Sequence, residues 1–255
     1  MPSAERAATR ASGFVADALH DCRKPVLGLA TGATMEPVYA DLVARYQSGR
    51  ISFARASSFN LDEYVGLSSD HPQSFRQTMN RLLFSHVDLD ASHCFLPRGD
   101  APDPEAEARR YDAAITAAGG IDVQLLGIGR NGHIGFNEPT SSLSGRTRVK
   151  TLTRSTRDAN ARFFENPADV PRYAITMGIA NVMEADHCVL LATGSAKAAA
   201  VARMIEGPVG ADCPATALQW HAKATVILDR AAAADLRMID YYLDIHPDGE
   251  EPKLV

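Results

Sequence analysis

Three observations predict an α/β fold built on a mostly parallel sheet within one domain. Short apolar runs alternate with stretches of helical periodicity along 255 residues, the pattern of successive βαβ units. No internal repeat or low-complexity linker interrupts that alternation. The hydrophobic share of 45% and charged share of 22% are those of a globular chain able to bury one large core.

Taken in order, an amphipathic N-terminal helix carrying Phe14, Val15, Ala18 and Leu19 leads into the apolar run Val26–Ala30. Met35, Val38, Leu42, Val43 and Tyr46 then recur at helical spacing. Further strands are predicted over Ala56–Leu61, Val123–Ile128, Cys188–Thr193 and Ala224–Leu228, and further helices over Pro72–Phe84, Glu105–Ala118, Ser195–Ile205 and Ala231–Leu243. The Pro- and acid-rich stretch Asp100–Glu105 reads as a connection, not a domain boundary, which leaves residues 1–255 as one domain.

A net charge of −5 with no Lys/Arg run argues against nucleic acid as a partner. An anionic ligand would have to be held by a few local cations and backbone dipoles. Cys22, Cys94, Cys188 and Cys213 lack metal or redox spacing and read as reduced thiols in a reducing compartment. The charged N-terminus has no signal-peptide core, and no stretch is long and apolar enough to span a membrane. The protein is therefore expected in the cytoplasm, with no membrane partner.

In open α/β sheets ligands bind beyond the carboxyl ends of the strands, so the residues after each strand carry the functional reading. The first strand runs into Thr31-Gly32-Ala33-Thr34. Small residues there expose backbone N–H groups at a helix start, which suits an anion such as phosphate. Thr34 could equally cap the helix. The second strand ends at Asp62-Glu63. Neighbours in a strand point to opposite faces, so only one acid would face a ligand, where partial desolvation would make it a base near neutral pH. Without further context both acids are expected to be solvated loop charges.

The third strand end is the most informative. Gly127-Ile128-Gly129-Arg130-Asn131-Gly132-His133-Ile134-Gly135-Phe136-Asn137-Glu138 is a glycine-rich loop that lets backbone approach a ligand. His133 has both protonation states accessible near pH 7, and Asn131 and Glu138 could orient it. Glu63, His71 and His221 are secondary candidates. Gly127, Gly129 and Gly132 imitate a dinucleotide fingerprint, but the position mid-chain and the polar Asn131 and His133 exclude it. No HExxH, CxxC or carboxylate-rich metal loop occurs, so neither a metal nor another cofactor is expected.

The segments FNLDEYVGL, HPQSF, LGIGRNGHIGFNEPTSSLSGRTRVKTL, TRDANARFF and GSAK together resemble glucosamine-6-phosphate deaminase, from about Leu27 to about Asp229. The resemblance implies a single-domain, Rossmann-like three-layer fold and conversion of glucosamine 6-phosphate and water to fructose 6-phosphate and ammonia. It implies that Asp62 moves the proton between carbons 2 and 1, and that His133 accepts the proton in ring opening, assisted by Asn131 and Glu138. Where Asn131 stands some family members carry Asp, so His133 here should depend more on Glu138. The phosphate would meet Thr31, Gly32, Ala33 and Thr34, with Arg162 and Lys197. Some similar enzymes are hexamers activated by N-acetylglucosamine 6-phosphate, and Ser141, Arg148 and Lys150 match that allosteric site. A homo-oligomer is an expectation of the same origin. The C-terminal DYYLDIHPDGEEPKLV is shorter than the allosteric members' tail.

A 6-phosphogluconolactonase would be expected to show Asp-Glu-Arg at 62–64 and to lack Phe136-Asn137-Glu138-Pro139. A galactosamine-6-phosphate deaminase would share the NGH and NEP elements, and FNLDEYVGL with SSLSGRTRVKTL favours the glucosamine substrate. A sugar-phosphate-sensing transcription regulator would need a DNA-binding module, for which too few residues precede the first strand.

Overall fold

The computed structural model describes residues 1–246; residues 247–255, the end of the C-terminal segment singled out above, lie outside the described residues. Its strands are β1 (Val26–Leu29), β2 (Ser57–Asn60), β3 (Asp62–Tyr64), β4 (Cys94–Phe95), β5 (Val123–Leu126), β6 (Arg148–Thr151), β7 (Tyr173–Thr176), β8 (His187–Ala192) and β9 (Ala224–Leu228). Six of them form one parallel sheet in the order β4-β2-β1-β5-β8-β9. This is the doubly wound, Rossmann-like α/β arrangement, with the strand order reversing at β1 and β5. All residues of β1, β5 and β8 are buried, as expected of strands covered on both faces.

The helices are α1 (Ala4–Asp21), α2 (Glu36–Gln47), α3 (Phe75–Leu82), α4 (Pro104–Ala117), α5 (Arg154–Asn160), α6 (Ile179–Met183), α7 (Ala198–Glu206) and α8 (Ile239–Ile245). The Asp100–Glu105 stretch is a helix start: Asp103 accepts from the Glu105 and Ala106 N–H groups and Pro104 fills the first turn. Tyr111 of α4 reaches the sheet, its hydroxyl donating to the carbonyl of Asn60.

The sequence pattern gives no strand at β4 and no helix at α5 or α6, and two further features depart from it. Residues 231–238 form turns and only Ile239–Ile245 is helical. There the Asp229 carboxylate accepts from the Ala232 N–H, and a short polar side chain that binds nearby backbone competes with helix. The second departure is a small antiparallel sheet, β3-β7-β6, at the carboxyl end of β2. Its strands have three or four residues, too few for a period to register. Leu61 joins the two sheets, donating to Leu29 and accepting from Met177.

Candidate active site

The strand reversal brings the first and third strand ends side by side, since β1 pairs directly with β5. The turn after β1 carries Thr31–Thr34, closed by Met35 N–H donating to the Gly32 carbonyl. Met35 occupies the cap position of α2 without a side-chain hydrogen bond, so Thr34 is not the helix cap. Gly32, Ala33 and the partly exposed threonines face open space.

The loop after β5 is folded back on itself. Gly129 donates to the His133 carbonyl at 2.8 Å, and Gly132 to the Gly129 carbonyl at 3.0 Å. Gly132 has φ 82°, left-handed backbone that favours glycine. A Cβ at Gly129 would overlap the imidazole of His133, so the ring lies directly on that peptide.

The polar groups form a relay. Asn131 Nδ2 donates to Glu138 Oε2 at 2.7 Å, and Asn131 Oδ1 lies 2.7 Å from His133 Nδ1. The carboxylate can only accept, so it draws the amide N–H₂ and turns the amide oxygen to the imidazole. His133 Nδ1 must then donate, and its Nε2 keeps the lone pair of a base. Nδ1 also stands 3.4 Å from Glu138 Oε2. Burial pushes the Glu138 carboxyl upward, but hydrogen bonds with His133, Thr156 and Asn131, joined by the His133 charge when the imidazole is protonated, outweigh it and hold the group down at about 2. Its other oxygen accepts from Thr156 and, at 3.2 Å, from Thr153. Neither threonine stands out in sequence, because a hydroxyl 15 or 18 residues away carries no local spacing signal.

The second strand end corrects an expectation: Asp62 and Glu63 are both buried, not solvated. Their side chains do diverge. Glu63 accepts from the Phe75, Arg76 and Tyr64 N–H groups, so it holds the start of α3. Burial raises its pKa in spite of these donors. Asp62 pairs with Thr176 across β3 and β7, and a Cβ at Gly135 would stand 3.6 Å from its Oδ2. The His133 loop therefore passes over Asp62. Burial, with Glu63 adding like charge, pushes the Asp62 carboxyl up to about 8.

Lys197 lies between β8 and α7, and its Nζ donates to the Ile128 carbonyl at 2.6 Å, at the root of the His133 loop. Burial, then the Arg130 charge, lowers its pKa. Arg130, exposed within the loop, is a second cation that the sequence reading passed over. Arg162 is exposed and stacks on Phe163, and the structure does not join it to Lys197 or to the 31–34 turn by a hydrogen bond. His71 and His221 serve turns, accepting from Gln73 and Lys223 N–H groups. Arg148 and Lys150 are two apart on β6 and so share a face, while Ser141 N–H donates to the Glu138 carbonyl. Ser141 Oγ and Arg148 Nη2 are buried without a hydrogen-bond partner. Among the described residues no group of three or more His, Cys, Asp or Glu side chains is placed to hold a metal ion, and no described helix is long and apolar enough to cross a membrane.

A doubly wound sheet with a buried carboxyl, an oriented imidazole and nearby cations at its strand ends defines an α/β enzyme of the acid–base type. The chain belongs to the family described as glucosamine-6-phosphate isomerases/6-phosphogluconolactonase, whose model matches residues 2–227. A glucosamine-6-phosphate deaminase of Cellvibrio japonicus (strain Ueda107) is 53% identical over 233 residues, covering 91% of this chain and 89% of that protein. One of Rhodopirellula baltica (strain DSM 10527 / NCIMB 13988 / SH1) is 51% identical over 236 residues, covering 92% and 93%. A solved structure described as a monomeric glucosamine-6-phosphate deaminase superposes with a TM-score of 0.90 at 45% identity, covering 92% of this chain and 98% of that one. The 6-phosphogluconolactonase of Leishmania guyanensis, at 19% identity and a TM-score of 0.70 over 91% of this chain and 95% of its own, shares the fold.

Proposed function

We infer that the chain converts glucosamine 6-phosphate and water to fructose 6-phosphate and ammonia. The observation that carries this reading is the pairing of a buried carboxyl, Asp62, with the Glu138–Asn131–His133 relay under one loop. The reaction needs two proton transfers of different kinds. Ring opening takes a proton from the anomeric hydroxyl and returns one to the ring oxygen, which suits a neutral imidazole whose Nδ1 is already engaged. Isomerisation moves a proton from carbon 2 to carbon 1, which suits a carboxyl whose pKa is near the working pH. Proton return to carbon 1 leaves an imine at carbon 2; water adds to that carbon, and collapse of the carbinolamine forms the ketone and expels ammonia.

Thr31, Gly32, Ala33 and Thr34 with Lys197 and Arg162 are assigned to the phosphate; the open turn and the positively charged loop root support this. Ser141, Arg148 and Lys150 are assigned to a second, regulatory sugar-phosphate site, supported by the unpartnered Arg148 Nη2 and Ser141 Oγ. A homo-oligomer is part of the same proposal, although a solved relative at 45% identity is described as monomeric. A cytoplasmic setting completes the reading.

Ammonia release is measured with glucosamine 6-phosphate and galactosamine 6-phosphate, each with and without excess chelator. Release from the glucosamine ester that persists in chelator is expected. A preference for the galactosamine ester moves the assignment to that epimer, and release from neither ester refutes it.

A further inference from the structure

We propose that the Tyr64 hydroxyl and Asn160 are positioning residues that clasp the Arg162-bearing segment against the catalytic body, so that Arg162 meets the substrate phosphate from a fixed place. The inference rests on the reading of Arg162 as a phosphate contact. Arg162 follows α5 in a single 3₁₀ turn, Ala161–Phe163, and is itself exposed. An exposed arginine has many rotamers, and holding it for a ligand is entropically expensive unless its backbone is already fixed.

The structure fixes that backbone on either side. Asn160 Nδ2 donates to the Tyr64 hydroxyl at 2.9 Å, across 96 residues of sequence. Phe164 meets the Tyr64 ring edge-on, with centroids 6.0 Å apart. Asn160 and Phe164 bracket Arg162, two residues before it and two after. Tyr64 is buried and packs on Phe75 and Phe136, at 4.7 and 5.9 Å between centroids. Phe136 belongs to the loop of His133 and Glu138, and Tyr64 is two residues from Asp62 on β3, so the two side chains share a strand face. One ring thus touches the elements of both proton-transfer groups and the segment that carries the cation. The hydroxyl is the only polar atom of that side chain, and it accepts from Asn160.

The test uses Tyr64→Phe, Asn160→Ala, the double variant and Arg162→Ala, each checked for an unchanged circular-dichroism spectrum. The affinity of inorganic phosphate is measured by calorimetry, and KM and kcat are measured with glucosamine 6-phosphate. Tyr64→Phe keeps the aromatic cluster and removes one hydrogen bond. It should weaken phosphate about threefold to tenfold, the range of one such bond, and raise KM more than it lowers kcat. Asn160→Ala should match it, and the double variant should be no worse than either single, because both delete the same contact. If Arg162→Ala weakens phosphate while Tyr64→Phe and Asn160→Ala do not, the clasp is refuted. Losses that add in the double variant refute it as well. If Arg162→Ala leaves phosphate affinity unchanged, the underlying phosphate assignment fails instead.

Discussion

Asp62→Asn should give a protein that is inactive and more stable than the parent at neutral pH. In the unfolded chain the carboxyl ionises near 3.8; burial raises it to about 8 in the folded state. Between these values the unfolded chain gives up a proton that the folded one keeps, so stability falls as pH rises through the window and levels off above it. From 3.8 to pH 7 is about three units, at about 1.36 kcal/mol each, or a penalty of about 4 kcal/mol. Asparagine never ionises and escapes it. Its amide carries two N–H donors where the protonated acid carries one O–H, and no described residue hydrogen-bonds the Asp62 carboxyl, so about 1 kcal/mol is lost again. The net gain is about 3 kcal/mol, or several degrees of melting temperature for a chain of this size. Thermal and urea melts of both proteins at pH 4, 6 and 8 test it. The gain should be near zero at pH 4 and largest at pH 8. A gain independent of pH, or none at pH 8, would refute the claim that burial holds Asp62 protonated. For the parent, kcat/KM should rise with pH toward about 8 as the base ionises.

Three other outcomes are expected. His133→Gln should slow ammonia release from cyclic glucosamine 6-phosphate by about 10²–10⁴-fold yet act readily on an analogue that cannot close its ring; equal loss on both would deny His133 a role confined to ring opening. Gly129→Ala places a methyl group where the His133 ring lies, so kcat on the cyclic sugar should fall at least tenfold with phosphate affinity preserved, and unchanged kcat would show that the ring need not rest there. Lys197→Ala removes a charge-assisted contact worth about 1.5–3 kcal/mol, so calorimetry should find phosphate weakened tenfold or more, and parental affinity would dissociate Lys197 from the phosphate.

The sequence by itself determined the class of fold and the centre of the chemistry, because both are local. The largely apolar runs Val123–Ile128 and Cys188–Thr193 record in their composition the burial that the structure gives β5 and β8 on both faces. The glycines around His133 record a backbone that must turn sharply and lie under a ring. Asn131 and Glu138 are near enough in sequence for their link to His133 to be foreseen. What only the tertiary structure decided is long-range. Asp62 and Glu63 look alike as neighbours, and their fates part because the start of α3 consumes Glu63 while Gly135 covers Asp62. Thr153 and Thr156 on Glu138, and Asn160 on Tyr64, join positions 15 to 96 residues apart. The sheet that creates those neighbours, β3-β7-β6, is too short to leave a period in the chain. A hydrogen bond leaves a trace in sequence only where chain geometry forces its partners together; across β3 and α5 that juxtaposition is made by packing, after the chain has folded.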